Sequence, residues 1–183
     1  MKTTFNFKKL LFLGFTILFL SCDSILEEQP LNQIGTDFFY KNETDALAAL
    51  TAVYADLKKG NGYYRQLFLS NLFGASDQGT PNAGRHGSFR RGTIESTDPN
   101  LPAVWTEIYV GIKDANNVIA RVPDIVDMDE QLKKRVLGEA KFLRALNYFN
   151  LVRCFGEVPL RTTPVKPGEG GLPKSPIQDI YEV

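Results

Sequence analysis

The run Gly138–Leu160, GEAKFLRALNYFNLVRCFGEVPL, restricts the fold more than any other part of the chain. Leu132, Val136, Ala140, Leu143 and Leu146 follow the 3.6-residue period of an amphipathic helix. From Phe142 onward, Ala145, Tyr148, Phe149, Leu151 and Val152 spread apolar side chains round the remaining sides. A helix of that kind is expected to be buried on several faces. Gly156 suits the left-handed backbone that closes a helix C-terminus. Val158-Pro159-Leu160 then leaves as an extended arm, because Pro159 pushes the residue before it out of the helical region.

The rest of the pattern is also helical. Asp45–Lys59 carries Ala46, Leu47, Ala49, Leu50, Val53, Tyr54 and Leu57 on one face, with Asn42 or Thr44 as cap and Gly60 as terminator. Tyr63–Phe73 reads as a weaker helical stretch. Leu101–Val122 places Val104, Ile108, Ile112, Ala115 and Ile119 on one side, with Trp105 and Tyr109 beside them and Pro123 at the end. A short acidic link leads to the long helix Asp129–Phe155. Helices joined so briefly pack antiparallel. The expected fold class is mainly α, built of helical hairpins, with no strict repeat at the tetratricopeptide period of about 34 residues. Gly156–Lys174 is a Pro/Gly-rich connector.

The two ends carry different messages. Lys2, Lys8 and Lys9 precede the apolar run Leu10–Leu20, which is shorter than the roughly 20 apolar residues a spanning helix needs. Ser21-Cys22 follows at once, as in a lipoprotein signal. Residues 1–21 are therefore read as a signal peptide and 22–183 as the mature domain, with Cys22 the lipid attachment site. Acyl chains contribute about 0.8 kcal/mol per buried CH₂, so several chains hold where one is marginal. Near the C-terminus, Ser175, Pro176 and Gln178 are expected to cap a helix that starts an apolar face at Ile177, Ile180 and Tyr181. It runs for barely two turns and is marginal alone. The chain is read as the N-terminal portion of a larger α-rich domain, with unmet apolar surface on its long helix.

Charge and composition exclude several functions. Net charge is zero, and removing the signal takes away 3 lysines and no acid. No basic stripe exists to engage nucleic-acid phosphates. With Cys22 lipidated, Cys154 has no disulfide partner and is expected to pack as a small buried side chain. No metal site, cofactor or catalytic constellation emerges. His86 has no evident nucleophile or acid beside it. Glu139 is read as an ion-pairing residue on the helix surface or between helices. Trp105 could stack on a sugar ring, but its spacing with Ile108, Tyr109 and Ile112 favours core. Asn116 or Asn117 is expected to bond backbone in a neighbouring turn.

The stretch Ala75–Pro99 differs from everything else: rich in Gly, Ser, Thr, Asn and Arg, and poor in large aliphatics. Loops this long are commonly functional. Asp77, Asn82, Arg85, Phe89 and Arg90 supply the planar amide, carboxylate, guanidinium forks and aromatic ring that recognise neutral oligosaccharides, so they are the ligand-binding candidates.

The run Gly138–Leu160 closely resembles the signature of the SusD/RagB family. The start CDSILEEQPLNQI, the helix WTEIYVGIKDANNVIARV and the run PKSPIQDIYE agree in order and spacing. The resemblance implies a tetratricopeptide-like scaffold, no catalysis and a lipid-anchored, surface-exposed place at the outer membrane. It also implies capture of an oligosaccharide, or in some members a peptide. The captured nutrient passes to a SusC-type TonB-dependent transporter. A lipid-anchored helical scaffold for protein or peptide partners is the alternative, and an anchored hydrolase a further one.

Overall fold

The computed structural model describes residues 39–60, 64–65, 72–76 and 87–183, with Arg90 described by its backbone alone. The chain divides into two units, Met1–Gly35 and Thr36–Val183. All the helices below belong to the second, and Cys22 lies outside the described residues. Helix α1 spans Glu43–Asp56, α2 Gly87–Arg91, α3 Asn100–Arg121, α4 Glu130–Phe155 and α5 Ile177–Tyr181. A 3₁₀ turn at Val122–Asp124 follows α3.

Capping chemistry fixes the helix starts. Asn42 Oδ1 accepts from the Asp45 N–H at 3.0 Å, and Asp45 Oδ2 accepts from the Lys41 N–H at 2.8 Å. This reciprocal pair satisfies donors that a bare helix start leaves open. It begins α1 two residues before the expected start, and the helix closes at Asp56 rather than Lys59. Asp129 caps α4 through Leu132 N–H at 2.9 Å. Gly156, with φ of 72°, ends α4 and turns the chain into the arm.

Helices α3 and α4 form the expected hairpin, with α1 packed across both. Two apolar clusters hold it. In the first, Leu50 and Val53 of α1 meet Ala115 and Val118 of α3 and Val136, Ala140 and Leu143 of α4. In the second, Val104, Ile108 and Ile112 meet Tyr148, Leu151 and Val152, with Val158 from the arm and Ile180 from α5. Each large side chain so buried contributes about 1.5–3 kcal/mol.

Three expectations need correction. Ser175 does not cap α5: its backbone N–H donates to Val158 O at 3.0 Å in an antiparallel bridge. Pro176 occupies the cap position without a side-chain bond, and Gln178 Nε2 donates to Glu182 instead. Helix α4 is not buried all round, since Phe142 is 65% and Phe149 44% exposed. The apolar surface expected on the long helix is therefore present. Cys154 is exposed rather than packed away, although loss of hydration beside apolar neighbours raises its thiol pKa.

One buried polar group is poorly served. Asp56 is 4% exposed, and Lys59 Nζ meets its Oδ1 at 2.5 Å. Its Oδ2 has no hydrogen-bond partner among the described residues. Burial pushes the carboxyl up, the Lys59 bond opposes this, and neighbouring Asp114 of α3 raises it again. A folded-state value above the unfolded one means that the folded chain holds this proton more tightly. The resulting stabilisation is complete at low pH and is lost as pH rises through the folded value. Asp56→Asn is expected to raise the melting temperature at neutral pH and flatten this slope. Thermal unfolding between about pH 4 and pH 8 checks both effects, and an unchanged slope contradicts them.

Candidate functional site

The arm after α4 is gripped by side chains from both long helices. Tyr109 OH donates to Pro159 O at 2.7 Å. Tyr148 OH donates to Arg161 O at 2.9 Å and accepts from Arg161 N–H at 2.7 Å. Asn116 Nδ2 donates to the same Arg161 carbonyl at 2.9 Å. Arg144 Nη1 donates to Thr162 O at 3.1 Å and to Asn116 Oδ1 at 2.9 Å. An arm too short to pair as a sheet thereby has its polar backbone satisfied. Burial pushes both tyrosine hydroxyls above their ordinary range, so they stay neutral donors. Asn116 has the structural role expected of it, but its backbone partner lies 45 residues on, in the arm.

One hollow adjoins this clamp, and a second opens elsewhere along α3. The first, about 360 Å³, lies between α3 and the arm and is lined by Trp105, Tyr109, Val110, Thr163 and Val165. Trp105 is half-buried there, its ring tilted against Tyr109 and edge-on to Phe155, each at 5.0 Å. It packs against the second apolar cluster, in keeping with its expected core role, while still lining the hollow. The second hollow, about 390 Å³, is apolar and lined by Leu72, Phe89, Ile94, Leu101, Val104 and Phe155 among others. Both volumes fall within the range of small-ligand sites.

Of the ligand candidates, Phe89 is the one whose side chain is described. It sits on α2, is 7% exposed and forms a wall of the second hollow. Arg90 is on the same short helix by its backbone. Asp77, Asn82 and Arg85 lie outside the described residues, as does His86. The segment just after them is tied by Asp98, which accepts from Ser88 Oγ at 2.5 Å and from Asn100 N–H at 2.9 Å. Sequence reasoning did not find the Tyr109–Asn116–Arg144–Tyr148 clamp. Its one signal was the cluster of polar residues on otherwise apolar helix faces.

Among the described residues no group of three or more His, Cys, Asp or Glu could hold a metal ion. Glu139 has the expected ion-pairing role: it meets Arg135 Nε at 2.7 Å and accepts from Tyr54 OH of α1 at 2.9 Å. No helix among the described residues is long and apolar enough to cross a membrane.

Comparison with known proteins agrees with this architecture. Residues 25–181 match the family described as "Starch-binding associating with outer membrane". SusD-like protein P2 of Formosa agariphila is 29% identical over 181 residues, covering 95% of this chain and 35% of that protein. SusD-like protein P38 of the same organism is 34% identical, covering 78% of this chain and 27% of its own. A solved laminarin-binding SusD-like protein is 35% identical with a TM-score of 0.66, covering 78% of this chain and 32% of that one. A SusD superfamily protein from Bacteroides vulgatus superposes with a TM-score of 0.68 at 25% identity, covering 79% and 32%. This chain thus spans about a third of the length of the relatives it matches. With the family model matching residues 25–181, the chain belongs to the SusD/RagB family.

Proposed function

We propose that the protein is a cell-surface lipoprotein that binds a glycan oligosaccharide and delivers it to a SusC-type TonB-dependent transporter. Cys22 would be its lipid anchor. The observation that carries the glycan reading is the likeness to the laminarin-binding protein, at 35% identity over 78% of this chain. The signal-like run before Cys22 supports the anchor.

The loop candidates Asp77, Asn82, Arg85, Phe89 and Arg90 are proposed to form part of the ligand surface. Phe89 is nearly buried, so its contribution is to root the loop in the apolar hollow. The polar members then supply the hydroxyl contacts. A hydrogen bond to a charged group contributes about 1.5–3 kcal/mol.

The test is isothermal titration of the protein with laminarin oligosaccharides and with maltooligosaccharides. Saturable binding to either class is expected. Arg85→Ala is expected to weaken it by about tenfold or more without shifting the melting temperature. Absence of binding to every neutral glycan tried sinks the reading. Recovery of a large outer-membrane barrel with the protein in a mild-detergent pull-down tests the delivery step. Recovery of the protein alone, under conditions that preserve other complexes, counts against that step.

A further inference from the structure

Asp56 closes α1, and its two carboxyl oxygens are served very differently. Oδ1 meets Lys59 Nζ at 2.5 Å. Oδ2 is sealed from solvent and has no hydrogen-bond donor among the described residues. A buried acceptor left in that state needs a physical account. The other side chain within hydrogen-bond reach of Asp56 is Asp114 of α3, itself a carboxylate. Asp114 is partly exposed, and its Oδ1 meets Lys113 Nζ at 3.1 Å. Two ionised carboxylates have no hydrogen to place between them.

A water, a metal ion or a proton could reconcile the two groups. A water occupies about 30 Å³ in the liquid, and the sealed Oδ2 offers a molecule of that size no surface. A metal ion asks for more ligands than this pair supplies, and no group of three or more His, Cys, Asp or Glu among the described residues could hold one. A proton needs no space beyond the contact itself, and it removes the cost of two like charges side by side. The neighbouring charges leave that cost standing. Burial raises the Asp56 carboxyl, the Lys59 bond lowers it, and the Asp114 charge raises it again. Lys59 is held charged by its bond to Asp56 first, and more weakly by Asp114 and Glu107 of α3. Tyr40, on the segment leading into α1, is raised first by burial and then by the Asp114 charge, with Arg121 opposing. Arg65, beyond α1, approaches Gly60. From α4, Arg135 and Glu139 engage Tyr54 and each other rather than Asp56.

We propose that Asp56 and Asp114 share one proton, and that this O–H···O bridge is a pH-sensitive latch between the last turn of α1 and α3. The two carboxyls titrate as a pair, in two steps that belong to both. Below the upper step the proton is in place and the turn is held. Above it both groups are ionised, and they repel across the contact between the helices. The folded-state value lies above the unfolded one, so the hold is complete at low pH and is lost as pH rises through the upper step. The chain beyond α1 hangs on the same turn. Lys58 N–H donates to Ala55 O at 2.9 Å, and Tyr64 N–H reaches back to Leu57 O at 2.9 Å. The latch therefore sets how firmly Tyr64 is tied to the end of α1. It is independent of any glycan surface.

The test follows the aspartate Cγ signals of the full chain by ¹³C NMR as pH is raised, with Asp56 and Asp114 assigned by their loss in Asp56→Asn and Asp114→Asn. Both are expected to move in two steps with the same two midpoints, the upper one above the ordinary carboxylate range. Asp114→Asn removes the like charge and brings an amide donor within reach of Oδ2. The Asp56 midpoint is then expected to fall by about one pH unit or more. Burial alone would leave it where it was. The Tyr64 amide reads the latch itself. Its protection against hydrogen exchange, corrected for the intrinsic rate at each pH, is expected to drop about tenfold or more across the upper midpoint. In Asp56→Asn, where an amide stands in for the proton, protection is expected to stay level. A single Asp56 step that Asp114→Asn does not move overturns the shared proton. Tyr64 protection that ignores the upper midpoint, or that falls equally in Asp56→Asn, overturns the latch.

Discussion

Asn116→Ala is expected to destabilise the protein by about 3 kcal/mol, although it removes only a small polar side chain from α3. Asn116 is 1% exposed and uses both ends of its amide. Its Nδ2 donates to Arg161 O, and its Oδ1 accepts a hydrogen bond from Arg144 Nη1. Truncation leaves a buried guanidinium with one tether, Thr162 O, in place of two. Each buried polar group left unmet costs about 1–3 kcal/mol, and more where it is charged. Arg161 O retains the Tyr148 hydroxyl, so the larger share of the loss falls on Arg144. Asn116→Asp separates the two contributions: it keeps an acceptor for Arg144 and removes the donor to Arg161 O. Urea unfolding at constant slope measures both variants. A cost under about 1 kcal/mol for Asn116→Ala shows that the clamp is not a source of stability.

The helices were legible in the sequence because their signals are local. Asn42, Asp129 and Gly156 sit within a turn of the helix ends that they define, and all three act there. The α3–α4 hairpin followed from a brief link between two long apolar periodicities. What the sequence hid depends on contacts between residues far apart. Nothing near Asn116 signals that its partner is Arg161, or that Tyr109 reaches Pro159 50 residues on. Ser175 looked like a cap because cap chemistry is local, but a bridge to Val158 took its backbone elsewhere. The apolar pattern after Phe142 was read as a demand for neighbours on several faces. Within the described residues Phe142 and Phe149 do not find them. The candidate site was legible only as a composition: of its side chains, Phe89 alone is placed, and it lines the second hollow.

Gly111→Val is expected to cost a further amount of the same order, about 3 kcal/mol, by wedging α3 from α4. A Cβ at Gly111 would lie 2.9 Å from Asn147 Nδ2 and 3.5 Å from its Cγ. Asn147 cannot swing clear without loss, because it is 4% exposed and its Nδ2 already donates to Leu143 O at 3.0 Å. Alanine tests the Cβ alone, and its better helix propensity, about 1 kcal/mol, offsets part of the clash. Valine adds two branches with a restricted χ1 and has no such offset. Asn147→Ala should relieve the Gly111→Ala variant, so the double-mutant cycle is expected to show favourable coupling. Strict additivity would mean that the two positions do not touch. The same close approach sets the distance between Asn116 and Arg144, about one turn along each helix. Spreading the helices at Gly111 is therefore expected to loosen the arm as well. Hydrogen exchange at the Arg161 amide, held by Tyr148 OH at 2.7 Å, should quicken in Gly111→Val. It should do so more than at core amides of α4, because the arm depends on the spacing of the helices rather than on their integrity.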